Sequence, residues 1–259
     1  MHEISNVYLL VDYHAVHITS NSVNSLLYFQ MGITPSLPDQ KQKLHDACRT
    51  GDLQTLELLI ENKVNMNQFD KNKSTPLHLA VSKGHVEIVQ LLLENGAGVD
   101  IREGEIGPTA LMNAAFHGEK EIFSLLIEFG ADIRLKDLGK RTALHHAAVN
   151  GHDELVQILL DKGLEIDDQD HDNSSSLHLA AVSGKTSTAK ILISKGAGSE
   201  LEGLNNTTPL LFATCYQKIG VAKFLLQLGA NQGHFSIFKT LNIYYCRGAL
   251  YGGVTIASL

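Results

Sequence analysis

The amino-acid sequence predicts an all-α repeat solenoid, and three observations of spacing carry that prediction. Leu44, Leu77, Leu111, Leu144, Leu177 and Leu210 recur every 33 or 34 residues. Seven residues after each of the first five stands a glycine: Gly51, Gly84, Gly118, Gly151 and Gly184, with Gln217 at the sixth place. Nineteen residues after the last five stands another: Gly96, Gly130, Gly163, Gly196 and Gly229, with Lys63 at the first place. Six units in register therefore occupy residues 41–233. Residues 1–40 are left as an N-terminal extension or linker, and residues 234–259 as a C-terminal tail.

Each unit can be justified from its residues. The first opens with Lys41, Lys43, His45, Asp46 and Arg49, a polar face suited to the end of a stack. In the second, the Thr75 hydroxyl is placed to cap a helix, and Pro76 suits the first helical position, where a missing N–H costs nothing. That helix ends at Gly84, which is free to turn left-handed. A second helix follows, with Val86, Ile88, Val89, Leu91, Leu92 and Leu93 on its apolar face and Gly96 closing it. Two helices this short are unstable alone, because isolated helices are marginal below about 12–15 residues. They must stack on neighbours. The third unit carries one extra residue around Gly104 to Gly107 and has Met112 where others have histidine. The fourth and fifth repeat the pattern closely. The sixth departs from it, with apolar or aromatic Phe212, Tyr216 and Phe224 running into an apolar tail.

Composition narrows the function. The chain has 259 residues, 44% apolar, and no uncharged apolar run long enough for a membrane helix. A formal charge of −7 gives no attraction to nucleic-acid phosphates, so no nucleic-acid partner is expected. Cys48, Cys215 and Cys246 are odd in number and widely spaced, which fits a reducing intracellular compartment, cytoplasmic or nuclear. Residues 1–40 contain no Lys or Arg, so neither a secretory nor a mitochondrial signal is indicated.

Thr75-Pro76-Leu77-His78-Leu79-Ala80, then Gly84-His85 and Leu91-Leu92-Leu93-Glu94-Asn95-Gly96-Ala97, resembles the ankyrin repeat nearly letter for letter. Thr142-Ala143-Leu144-His145-His146-Ala147-Ala148 with Gly151-His152 repeats it closely. The resemblance implies paired antiparallel helices with projecting β-hairpin loops. It also implies that the histidine after each framework leucine is structural, tying hairpin to helix through the backbone. His45, His78, His145 and His178 hold that place, and His85 and His152 share another.

No catalytic, cofactor or metal constellation emerges, and no enzyme is expected. Phosphate-loop, nucleophile-elbow and zinc-protease signatures are absent from the sequence. His14 and His17 have no further ligands nearby in sequence. The Asp168-x-Asp170-x-Asp172 run imitates the start of a calcium loop, but Asn173 and Leu179 stand where glycine and glutamate are needed, so a solvated hairpin tip is the expectation.

What remains is a non-enzymatic protein-binding scaffold, expected to be monomeric. The resemblance implies a concave contact face made of hairpin tips and first helices. Residues two, five and six after each framework leucine lie on it. In the central units these are Asn113, Phe116 and His117; His146, Val149 and Asn150; and Val182. Phe116, Val149 and Val182 form an apolar stripe flanked by polar groups, the composition of an interface hot spot. Two other readings are open: an adaptor recruiting ubiquitin-ligase machinery through Tyr245-Cys246-Arg247-Gly248-Ala249-Leu250, or an ion- or lipid-binding module.

Overall fold

A computed structural model describes residues 37–104 and 107–229. Contacts divide the chain into a unit of residues 1–40 and a unit of residues 41–259. Twelve α-helices lie among the described residues: α1 Leu37–Thr50, α2 Leu53–Glu61, α3 Pro76–Lys83, α4 Val86–Glu94, α5 Ala110–His117, α6 Lys120–Glu128, α7 Ala143–Asn150, α8 Asp153–Asp161, α9 Ser176–Ser183, α10 Thr186–Ser194, α11 Pro209–Cys215 and α12 Ile219–Gln227. They come in consecutive pairs, with α3 packed on α4, α5 on α6, α7 on α8, α9 on α10 and α11 on α12. First helices pack on one another in the order α3, α5, α7, α9, α11, and second helices pack beside them, α2 on α4, α4 on α6, α8 on α10 and α10 on α12.

The framework residues make this stacking possible. Thr75 and Thr109 are extended, and each hydroxyl accepts the N–H three residues on, from His78 and Met112. Pro76 and Pro209 occupy the first helical turn, as their missing N–H allows. The framework leucines are buried, and three residues after each stands a buried alanine: Ala47, Ala80, Ala114, Ala147, Ala180 and Ala213. A methyl group at that place lets successive first helices approach closely, while Phe123, Leu126, Leu92 and Leu159 fill the space toward the second helices. The core is therefore a continuous apolar seam with no single centre.

Helix ends follow the glycine pattern, and its two exceptions obey the same geometry. Gly84, Gly118, Gly151 and Gly184 end their helices at φ between 72° and 82°. Lys63 and Gln217, at the two places without glycine, also take positive φ, 55° and 56°. The backbone demands the left-handed turn whichever residue supplies it, and a non-glycine residue there is held at a cost of about 1–2 kcal/mol.

One expectation is corrected, that for His45, and the structure adds two details. α1 starts at Leu37, four residues before the first unit opens at Lys41; Pro38 falls in its first turn, where no backbone N–H is required. His45 is not part of a polar outer face but is buried, with Nδ1 2.7 Å from the Lys41 carbonyl and Nε2 2.8 Å from that of Gln68. The hairpin loops are short and closed by turns, with a single antiparallel bridge, Arg102 with Thr109, among the described residues. Asp70, Asp137 and Asp170 explain the tight turns. The Asp170 carboxylate accepts the N–H groups of Asp172 and Ser174, both at 2.9 Å, while its own N–H reaches the Ser174 carbonyl. The extra residue of the third unit is absorbed in the longer loop between Arg102 and Thr109.

Candidate protein-binding face

The units are joined by hydrogen bonds that reach one unit along the chain. In the fourth unit the Thr142 N–H donates to His145 Nδ1 at 3.2 Å, which leaves Nε2 to carry the proton and donate to the Ser174 carbonyl at 3.2 Å. His178 does the same between Ser175 and the Thr207 carbonyl, and His78 joins Thr75 to the Pro108 carbonyl. Burial holds all three imidazoles below their ordinary pKa, and nearby Glu103 and Asp170 offset the shift only in part. Met112 and Leu211 fill the same slot in the third and sixth units with apolar side chains. The histidine reading from the sequence thus describes these residues well.

A second tie escaped the sequence reading. His85 Nε2 faces the Arg49 carbonyl at 3.3 Å and His152 Nε2 the Phe116 carbonyl at 3.0 Å, each 36 residues back. Each ring lies over the left-handed glycine of the preceding unit, Gly51 and Gly118. Near the turns, Asn67 Oδ1 accepts from Gly98 N and the Asp167 carboxylate from Gly198 N, again one unit on. The recurring Gly-His pair could have signalled the histidine tie; the turn contacts have no signature in local pattern.

The residues expected at the contact face lie on the first helices α5, α7 and α9 and on adjoining turns. Phe116 is 45% exposed, and its ring meets those of His117 and His146 edge-on at 5.2 and 6.2 Å. Together with Asn113, Leu79, Ser82 and the loop residues Glu103 and Pro108, these rings border a shallow depression of about 340 Å³. His146 Nε2 lies 3.0 Å from the Asp137 carboxylate, which fixes its ring against the stripe; burial depresses its pKa and Asp137 counters that shift. Asn150 donates to the His146 carbonyl at 3.2 Å. Val149 and Val182 are half-buried one and two units beyond Phe116, in identical register, and His117 is exposed.

Two carboxylates of the acidic run are paired: Asp168 with Lys136 at 2.8 Å, and buried Asp170 with Arg141 at 3.2 Å, while Asp172 is exposed at the turn. Among the described residues no group of three or more His, Cys, Asp or Glu side chains gathers as a metal site would require. Cys48 is a free, buried thiol whose pKa burial pushes up to about 12, against a small opposing effect of Arg49. His14, His17 and the segment Tyr245 to Leu250 lie outside the described residues. No described helix is long and apolar enough to cross a membrane.

Stacked helix pairs tied through turn carbonyls define a repeat scaffold, and the family follows from comparison. Three copies of the family model for ankyrin repeats match residues 13–103, 98–170 and 164–236, and the chain belongs to the ankyrin-repeat family. The crystal structure of the human ASB11 ankyrin repeat domain is similar over 73% of this chain and 84% of that one, with 34% identity and a TM-score of 0.66. Mouse ankyrin repeat and SAM domain-containing protein 6 is 36% identical over 107 residues, 40% of this chain and 12% of that protein. Rice probable E3 ubiquitin-protein ligase XBOS32 is 37% identical over 98 residues, 37% of this chain and 20% of that protein. The chain thus spans a fifth or less of these curated relatives. What it shares with them is the ankyrin repeat domain, a module that generally binds proteins.

Proposed function

We propose that this chain is a non-enzymatic scaffold, intracellular and monomeric, that docks a segment of a partner protein on the face formed by α5, α7, α9 and their turns. The observation that carries the reading is Phe116, a large aromatic side chain left 45% exposed at the edge of a depression where the neighbouring His146 ring is held by Asp137. An aromatic anchor beside held polar groups loses little entropy on binding, which favours a hot spot there. The array carries 25 acidic and 19 basic side chains over residues 41–233, so its partner is a protein and not a nucleic acid. No cofactor is required.

The test is capture from cell extract by the full chain and by the Phe116→Ala/Val149→Ala/Val182→Ala variant, with circular dichroism to verify folding. The variant is expected to retain the fold and lose at least tenfold of the specifically bound protein. Equal capture by both would remove this face from consideration.

A further inference from the structure

The sixth unit is apolar where the two units before it are polar. Tyr216, Ile219 and Leu228 are 51%, 45% and 48% exposed. At the same registers the fourth unit has Asn150, Asp153 and Lys162, and the fifth has Ser183, Thr186 and Lys195. Each left-handed glycine that ends a first helix is covered by a side chain from the start of the following unit's second helix: Gly51 by His85, Gly84 by Glu119, Gly118 by His152, Gly151 by Lys185 and Gly184 by Lys218. Among the described residues no seventh unit follows α12 to shield the turn that Tyr216 and Ile219 flank. Soluble solenoids need a polar or covered end, and three large apolar groups at normally wetted positions call for cover.

The chain itself supplies a matching segment. Residues 230–259 begin three residues after α12 ends and contain no Asp or Glu, but have Lys239 and Arg247 and twelve Phe, Tyr, Ile, Leu or Val residues. Phe235, Ile237, Leu241, Ile243 and Tyr245 alternate with other residues, as along one face of a strand. Leu228 adjoins the point where this segment leaves, and Ile219 lies at the far end of nine-residue α12, about 13 Å away. Four extended residues cover that distance. A tether this short holds the segment at millimolar effective concentration, above what a second copy reaches in dilute solution. Its positive charge also suits the negative array.

We infer that residues 230–259 dock on the sixth unit over Tyr216, Ile219 and Leu228 and cap the array. The experiment is limited trypsin digestion of the full chain, following cleavage after Lys239 and Arg247 by mass spectrometry, against a synthetic peptide of residues 230–259. Cleavage in the full chain should be at least tenfold slower than in the peptide. The variant Tyr216→Ser/Ile219→Thr/Leu228→Lys, which borrows the fifth unit's residues, should be cut within twofold of the peptide rate while amide exchange in α3 to α10 stays unchanged. A second variant, Ile237→Ser/Leu241→Ser/Ile243→Ser, leaves the sixth unit intact and should lose protection equally. Peptide-like cleavage of the unaltered chain, or protection that survives both variants, would overturn the inference. Protection that vanishes on dilution, with a dimer seen in sedimentation, would assign the surface to a second copy and overturn it too.

Discussion

Gly118 and Gly130 allow the inter-unit contact to be weighed against backbone strain in one experiment. Both are left-handed, at φ 79° and 87°, but a methyl group at Gly118 would overlap the His152 ring, whereas nothing lies within 4 Å of one at Gly130. Gly130→Ala bears the left-handed penalty of about 1–2 kcal/mol, offset in part by the about 0.4–1 kcal/mol gained from a stiffer unfolded chain. Gly118→Ala bears the same balance and also displaces His152 from the Phe116 carbonyl, losing a hydrogen bond of about 1 kcal/mol and adding about 1 kcal/mol or more of crowding. The expected costs are about 1 kcal/mol for Gly130→Ala and about 3 kcal/mol for Gly118→Ala. At a urea slope of about 2 kcal/mol per molar, the midpoints should differ by about 1 M. Equal midpoints would show that the ring over the glycine contributes nothing, and the account of unit coupling given above would fail.

Other outcomes follow from the same geometry. His78, His145, His146 and His178 have depressed pKa values when folded, so their contribution is fully present above the unfolded value of about 6.5 and is lost as pH falls below it. Urea midpoints should decline from pH 7.5 to 5.5, at up to about 1.4 kcal/mol per pH unit per histidine, and a flat profile would contradict the buried neutral rings. Met112→His should stabilise the array by about 0.5–1.5 kcal/mol by restoring a bond to the carbonyl of Arg141, the residue in register with Ser174; thermal denaturation reads the change, and a loss of stability would argue against it. Cys48 should resist alkylation at pH 8 in the native chain and react once urea unfolds it; prompt native labelling would refute its burial.

The sequence exposes most of this architecture because ankyrin units repeat their own punctuation. Thr75 and Pro76 announce a helix start, Gly84 announces its end, and both act within a few residues of where they stand. His78 is legible for a different reason: its recurrence at one register marks a shared task, although the carbonyl it meets is 30 residues away. Where no recurrence exists, inference falters. The first unit has Gln42-Lys43 at the register of the Thr-Pro pair, so nothing in register marks the start of α1 at Leu37, and the capping role assigned to His45 conflicts with the structural role of the same register, which prevails because its ring faces two carbonyls inside the fold. The contact face divides in the same way. Register places Phe116, Val149 and Val182 on successive first helices, but only the fold shows that His146 is held by Asp137 nine residues earlier and turned toward Phe116.

The bridging hydrogen bonds of this array stop at the neighbouring unit. From His145 to Ser174, His178 to Thr207 and His152 back to Phe116, each runs between adjacent units. Chain length and contact distance are thereby uncoupled. Excising residues 143–175 would set Ser176 after Thr142, the same register that Ala143 holds now, and each remaining histidine would meet a turn carbonyl of equivalent kind. Such a chain can gain or lose a whole unit without inventing a new contact, so the width of the proposed binding face can change in steps of one helix pair while the rule that assembles it stays the same.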